Sequence, residues 1–346
     1  MLQFSNLFKR FYLGIDLGTA HTLVYKRGEG IVMRIPSVIA YNAESGEIIA
    51  IGEEAKRMYG KTPEGIYAKR PIKDGVIENL ELVQEFLSFI IKANSRFISP
   101  ILVVGIPAGA NDVERKAVID AGEGAGAREV YLIEEPIASA LGMGLPIQEA
   151  KGHLVVDIGG GTTEIAIISL GKIAHQNSIK IAGDEIDEAI KEYVRRKYTV
   201  NIGDLTAEEI KIKLGNAFPS EEEEYMEITG LDLATHRPKV IRLSSSDIRE
   251  AIDGPINQII NAVNRLLENS QPDLVRDVLE NGMYLAGGGA LIKGIDKRFE
   301  NELKIKVNIA SNPLETVVSG IGKVVESFNE YRDNLFKGKK LLGRRR

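Results

Sequence analysis

The chain has 346 residues, 44% apolar and 27% charged, with 35 glycines and a formal net charge of −5, enough apolar material for two packed lobes and too much for disorder over most of its length. It contains no cysteine, which excludes disulfide scaffolds, zinc–cysteine sites, iron–sulfur clusters and thiol catalysis. No global field draws it to nucleic acid, no apolar run approaches the ~20 residues of a spanning helix, and the N-terminus lacks a signal-peptide pattern, so a cytoplasmic protein is expected.

In chain order, strand patterns cover Tyr12–Asp16, Thr22–Lys26 and Ile31–Ile35, with turn signals at Gly18 and Gly28–Gly30. Val38–Tyr41 and Ile48–Ile51 read as a small hairpin and Glu53–Tyr59 as a short helix. Asn79–Asn94 has helical spacing, with Leu82, Phe86, Phe89 and Ile90 on one stripe. A buried-type strand Ile101–Ile106, a helix from Asn111, strand Val130–Ile133 and helix Pro136–Gly142 follow. A second strand–glycine–strand unit spans His153–Ile168, then a strand near Ile173–Lys180 and helices Asp184–Tyr198, with Asp184 as N-cap, and Ala207–Ala217. Strands near Tyr225–Thr229 and Lys239–Leu243, helices Ser246–Asn269 and Pro272–Glu280, strand Gly282–Leu285, a glycine loop and helix Pro313–Tyr331 complete an α/β pattern.

The repeat carries the most information. Asp16-Leu-Gly18-Thr-Ala-His-Thr22 and Asp157-Ile-Gly159-Gly-Gly-Thr-Thr163 share Asp, Gly and Thr at one offset of 141 residues, each between two apolar strands. Two copies of one lobe facing across a cleft account for both the repeat and the length. Each turn ends a strand with an acid and then offers free backbone N–H groups, which converge on phosphate. A carboxylate beside phosphate needs a cation between them, so Asp16 and Asp157 suggest Mg²⁺, held directly or through water. Either copy alone also reads as an ordinary strand-to-turn signal; the matched pair favours phosphate binding. Gly287-Gly-Gly289-Ala290 reads as a backbone platform for a planar base or as a helix-entry turn. Glu208 and Lys211 share a helix face, placed to reach a ribose and an adenine edge, or to pair with each other. Gly60-Lys61-Thr62 lacks the first glycine of a P-loop, Gly122–Gly126 lacks dinucleotide spacing, and the four histidines show no metal-ligand spacing.

The blocks Gly14–Thr22, Arg70-Pro-Ile-Lys-Asp-Gly-Val-Ile77, Leu132-Ile-Glu-Glu-Pro136, Val156–Glu164, Gly183-Asp-Glu-Ile-Asp-Glu-Ala-Ile190 and Leu285–Leu291 run in order from residue 12 to about 330. Together they resemble the actin-type ATPase superfamily (actins, heat-shock chaperone ATPases, sugar kinases) and, within it, the MreB family of bacterial actins. The resemblance implies an actin-like ATPase fold: two duplicated ribonuclease-H-like lobes around a nucleotide cleft, each with a small inserted subdomain. The corresponding division is 12–36 and 72–149 for lobe I, 37–71 for its insertion, 150–182 and 246–332 for lobe II, and 183–245 for its insertion.

The resemblance implies ATP and Mg²⁺ as ligands. Asp16 and Asp157 would organise the metal, and Gly18, Thr19, Ala20 and His21, with Gly159, Gly160, Gly161, Thr162 and Thr163, the phosphates. Glu135 would position and polarise the attacking water; a first-turn helix acid has the same pattern. Gly183, Glu208, Lys211, Gly287, Gly288, Gly289 and Ala290 would hold the adenosine. His21 stands where the family commonly has asparagine, and Ser319-Gly-Ile-Gly322 is only loosely similar to its counterpart.

Phe4, Leu7, Phe8 and Phe11 fall at i, i+3, i+4 and i+7, so residues 1–11 suit an interfacial anchor helix, or a tail docked on the protein. Phe97-Ile98 is an alternative apolar loop, and residues 333–346 form a basic tail suited to anionic lipid or to solvent. By resemblance the chain would form paired protofilaments under the inner face of the cytoplasmic membrane. It would work there with membrane proteins of the cell-wall elongation machinery, with slow ATP hydrolysis coupled to polymerisation and rod shape as the outcome. A small-molecule kinase, a chaperone ATPase and a scaffold with negligible turnover are the rivals on the same fold.

Overall fold

The computed structural model describes residues 11–95 and 97–337. The repeat seen in the sequence is a repeat in space. In lobe I, strand Tyr12–Leu17 pairs antiparallel with His21–Lys26, which pairs with Gly30–Pro36, and on its other side runs parallel to Ile101–Ile106. In lobe II, His153–Ile158 pairs antiparallel with Thr163–Ser169, then Lys172–Ile179, and runs parallel to Met283–Ala286. Asp16 and Asp157 therefore end equivalent strands.

The lobe I strands bury Leu13, Ile15, Leu102, Val104 and Leu132 against Phe86, Leu87 and Ile90 of helix Leu80–Asn94, whose N-cap Asn79 accepts the Leu82 N–H. Phe89, expected on that stripe, is exposed; the buried face is Leu82, Val83, Phe86, Leu87, Ile90 and Ile91. The lobe II core joins Leu154, Val156, Ile165 and Leu285 to Ile252, Ile256 and Ile259 of helix Ser245–Glu268. The insertions are two three-stranded sheets. One joins Ile39–Asn42, Ile48–Ile51 and Ile66–Lys69; the other joins Val200–Asn201, Tyr225–Asp232 and Pro238–Ser244.

Helices Glu135–Gly142 and Thr316–Glu326 lie between the two large sheets. Their core unites Val103, Tyr131 and Leu141 with Val155, Ala166 and Ile168, and with Val317, Ile321 and Val325. The helices cross in backbone contact: a Cβ on Gly320 would stand 1.7 Å from the Ala138 carbonyl oxygen, and one on Gly142 would stand 1.9 Å from that of Thr316. This explains Gly320 of the loosely similar Ser319–Gly322 segment, whereas Gly322 makes room for the Tyr25 ring, 2.5 Å from where its Cβ would stand; helix Thr316–Glu326, expected in lobe II, packs on the lobe I strands. The single helix expected over Pro313–Tyr331 is a 3-10 turn Pro313–Glu315, helix Thr316–Glu326 and helix Phe328–Tyr331.

Two further expectations change. The helix expected to start with Asp184 as N-cap begins at Gly183; the N–H of its cap residue Ala182 bonds to the Glu185 carboxylate, and Asp184 turns outward. The basic tail does not begin free: Phe336–Lys337 adds an edge strand to Glu129–Glu134, with the Arg115 guanidinium 4.0 Å from the Phe336 ring centroid and Lys337 Nζ 2.6 Å from Glu129.

Candidate functional site

The two glycine turns meet where the lobes face each other. A Cβ on Gly160 would lie 2.8 Å from the Ala20 methyl, and one on Gly161 would lie 2.9 Å from Thr19 Oγ1. Backbones this close tolerate only glycine at those positions. Gly18 is required too, because a Cβ there would meet the His21 carbonyl oxygen at 2.7 Å. Ser37 Oγ donates to the Gly18 carbonyl at 2.6 Å and seats the first turn; the Gly159 N–H donates to the Thr162 carbonyl at 2.9 Å and closes the second.

Four carboxylates converge beneath the turns. Asp16 is pushed up to about 7 by burial and then by Asp157. Asp157, pushed up to about 6 by burial, accepts the Ser139 hydroxyl at 2.8 Å. Glu135, in the first turn of helix Glu135–Gly142, is raised well above the usual carboxylate range by burial and by the charges of Asp16, Glu164 and Asp157. Glu164 is raised by burial. Such a cluster is costly without a compensating positive charge.

Thr162 is half-buried, its methyl 3.3 Å from a Cβ built on Gly75, whereas the Thr163 hydroxyl donates to the Ile181 carbonyl at 2.6 Å and the residue is fully buried. Thr163 therefore anchors the strand end, and its hydroxyl proton is not available to a phosphate. Gly287 and Gly289 pack on strand His153–Ile158: a Cβ on Gly287 would sit 2.3 Å from the Ile158 carbonyl oxygen, and one on Gly289 would sit 2.3 Å from the Ile158 side chain. Ala290 is buried and Gly288–Leu291 is a 3-10 turn, so only Gly288 of that loop presents open backbone.

Glu208 and Lys211 do not pair with each other. Lys211 Nζ donates to the Gly183 carbonyl at 2.9 Å and to Asp187 at 2.7 Å. Glu208 accepts Lys56 Nζ at 3.0 Å across the cleft mouth. Beside it Arg70 Nη1 stands 2.7 Å from both oxygens of Asp184. His21 stands near these charges; burial first and Lys56 next lower its pKa.

Sequence reasoning missed Lys56, Arg70 and Asp184 as bridging residues. It also missed the tip of hairpin Ile72–Ile77, where Asp74 and Gly75 have positive φ. That tip touches both turns: the Gly75 N–H donates to Thr19 Oγ1 at 3.3 Å, and Asp74 backbone lies 3.0 Å from a Cβ on Gly161. The signal available was the Asp-Gly turn pair inside the Arg70–Ile77 block.

Of the membrane candidates, Phe4, Leu7 and Phe8 lie outside the described residues. Phe11 packs on the lobe I core with Lys26 Nζ 5.5 Å from its ring centroid, so it is not part of a lipid-facing surface. Phe97 is 95% and Ile98 55% exposed. No helix among the described residues is long and apolar enough to cross a membrane.

A family model described as MreB/Mbl protein matches residues 10–333. The chain belongs to the MreB/Mbl family. MreB of Escherichia coli strain K12, a cell shape-determining protein, is 45% identical over 332 residues, which are 94% of this chain and 96% of that protein. The cell shape-determining protein Mbl of Bacillus subtilis strain 168 is 42% identical over 321 residues, 92% of this chain and 96% of that protein. Crystal structures of MreB5 of Spiroplasma citri bound to ADP and to AMPPNP align with TM-scores of 0.91 and 0.90 at 37% identity, covering 94% of this chain and 99% of theirs. The fold is the actin-like ATPase fold of MreB.

Proposed function

We propose that this chain is a filament-forming ATPase that binds ATP between its two glycine turns, hydrolyses it slowly and organises cell shape beneath the cytoplasmic membrane. The observation that carries the reading is the apposition of the Thr19–Ala20 and Gly160–Gly161 turns above four clustered carboxylates, Asp157 and Glu164 buried and Asp16 and Glu135 half-buried. ADP and AMPPNP are the nucleotides of the aligned MreB5 structures, and cell shape is the role given to the MreB and Mbl relatives.

Magnesium suits this site. Asp16 and Asp157 offer hard oxygen donors, and burial with mutual repulsion leaves them short of positive charge. Among the described residues no three of these carboxylates are close enough to hold one ion together, which fits an ion that keeps its waters and takes one or two carboxylates plus phosphate oxygens. When bound, Mg²⁺ neutralises charge on the β- and γ-phosphates. The turns at Gly18–His21 and Gly159–Gly161 direct backbone N–H groups at the phosphates. Glu135 accepts a hydrogen bond from the attacking water and orients it in line, with Thr162 beside it. Gly183, Glu208, Lys211 and Gly288 border the adenosine end.

Assembly into paired protofilaments would multiply a weak membrane contact, such as the exposed Phe97-Ile98 loop, into stable attachment near the elongation machinery. Sedimentation and negative-stain microscopy with ATP, ADP and no nucleotide, with and without anionic liposomes, test the reading. Filaments with ATP that recruit to liposomes are expected; no filaments under any condition would overturn it.

A further inference from the structure

Glu164, the most deeply buried of the four carboxylates, has no assigned role in holding the metal or orienting water. It stands opposite Asp157 in one antiparallel strand pair and opposite Ser178 in the next. Like charges directly opposed on a sheet are destabilising, and these two are only 2% and 8% exposed. Glutamine has nearly the same shape and no charge, so the carboxylate needs a reason beyond filling space.

Its neighbours supply one. Ser178 Oγ donates to one oxygen at 2.6 Å and the Ala108 N–H donates to the other at 3.3 Å. Two donors converge on opposite oxygens, and an acceptor-only group satisfies both. Ala108 belongs to lobe I, in the loop after strand Ile101–Ile106. Its carbonyl is held as well, by Gln176 Nε2 at 3.0 Å. Gln176 and Ser178 share a face of strand Lys172–Ile179, so lobe II grips both polar groups of one lobe I residue. Two residues before Glu164, in the second glycine turn, the Thr162 methyl lies 3.3 Å from a Cβ built on Gly75 of the hairpin tip.

We propose that Glu164 is a positioning residue that registers lobe I against lobe II through Ala108. The assignment rests on the ATPase reading. It ties cleft closure to the strand that leaves the second glycine turn, because the carboxylate sits on that strand, opposite Asp157.

The test compares Glu164→Gln and Gln176→Leu in the full chain by three readouts: phosphate release, affinity for a fluorescent ATP analogue, and hydrogen exchange at the Ala108 amide without nucleotide. Glu164→Gln should lower release about tenfold or more while analogue affinity stays within about threefold. Gln176→Leu, which leaves the carboxylate in place and stays readable if the first variant does not fold, should raise KM about threefold or more with kcat retained. Both should speed exchange at Ala108. Release within about twofold of the parent in Glu164→Gln, or unchanged Ala108 exchange in both variants, overturns the proposal. A parent chain that binds no ATP overturns the function proposed above instead; rapid Ala108 exchange in that parent then overturns the lobe registration as well.

Discussion

Lys56 and Glu208 stand 152 residues apart in the chain and meet across the cleft mouth, Lys56 Nζ lying 3.0 and 2.8 Å from the two carboxylate oxygens. Arg70 and Asp184 repeat the arrangement. Both pairs join the insertion of one lobe to that of the other, and both are partly open to water. Each is worth at most about 1 kcal/mol. Glu208 is also proposed to border the ribose, so closure and nucleotide grip would share one carboxylate.

Lys56→Ala should therefore speed release of bound nucleotide by up to about fivefold. Arg70→Ala should do the same, and the double variant should add nearly in full because the pairs have no common partner. Stopped-flow displacement of a fluorescent nucleotide measures this. Release rates equal to the parent in all three variants would show that the pairs do not hold the cleft.

Glu135→Gln removes the carboxylate proposed to orient water while keeping its volume. ATP should still bind, with phosphate release reduced about a hundredfold. Parental release in this variant would remove Glu135 from the mechanism. Thr163→Val, by contrast, should act on stability, because its hydroxyl is bonded to the Ile181 carbonyl.

Gly75→Ala tests the hairpin tip. Its φ is +73°, and the new methyl would lie 2.9 Å from Pro107 and 3.3 Å from Thr162. Backbone strain and overpacking together should cost about 2–4 kcal/mol. Thermal unfolding should shift down accordingly, with weaker ATP binding because the tip props both turns. A melting temperature within a degree of the parent would contradict this.

The paired turns were legible because close backbone approach demands glycine and a strand-end acid marks the chemistry, all within seven consecutive residues. The cross-lobe contacts were not. Ion pairs such as Arg70–Asp184 join residues 114 positions apart and leave no local pattern. Gly142 and Gly320 looked like ordinary small residues until two helices crossed on them. Phe11 fitted a helical stripe by spacing alone, yet its carbonyl accepts the Ile101 N–H at 2.7 Å, drawing its ring onto the lobe I core. Periodicity reports what a segment would do alone, and tertiary contact overrides it.

His153 gives a pH prediction with a definite sign. It is buried beside Tyr284, both ring nitrogens lack hydrogen-bond partners, and burial lowers its pKa below 6.5. Nearby Glu149 and Asp277 oppose that shift, and Lys151 adds to it. The unfolded chain binds the proton more readily than the folded one, so this contribution is complete above pH 6.5 and is lost as pH falls through the folded pKa. His153→Phe replaces the unpartnered nitrogens with apolar atoms. The stability of the parent relative to this variant should fall between about pH 7 and pH 5 and stay level above pH 7. A difference that does not vary with pH, measured by denaturant unfolding, would rule out a buried neutral imidazole.

The last prediction separates two aromatic residues that the sequence groups as lipid-facing. Phe97 is almost wholly exposed beside Ile98, whereas Phe11 is packed on lobe I. Burying one phenylalanine in lipid contributes about 1.5–3 kcal/mol, too little to hold a monomer but enough when a filament aligns many copies. Phe97→Ser with Ile98→Ser should leave ATP-dependent sedimentation intact and lower co-sedimentation with anionic liposomes about tenfold. Phe11→Ser should lower the melting temperature without selectively reducing membrane recruitment. If the Phe97 and Ile98 variant binds liposomes as well as the parent, this loop does not contact membrane, and the search moves to residues 1–10 and 338–346.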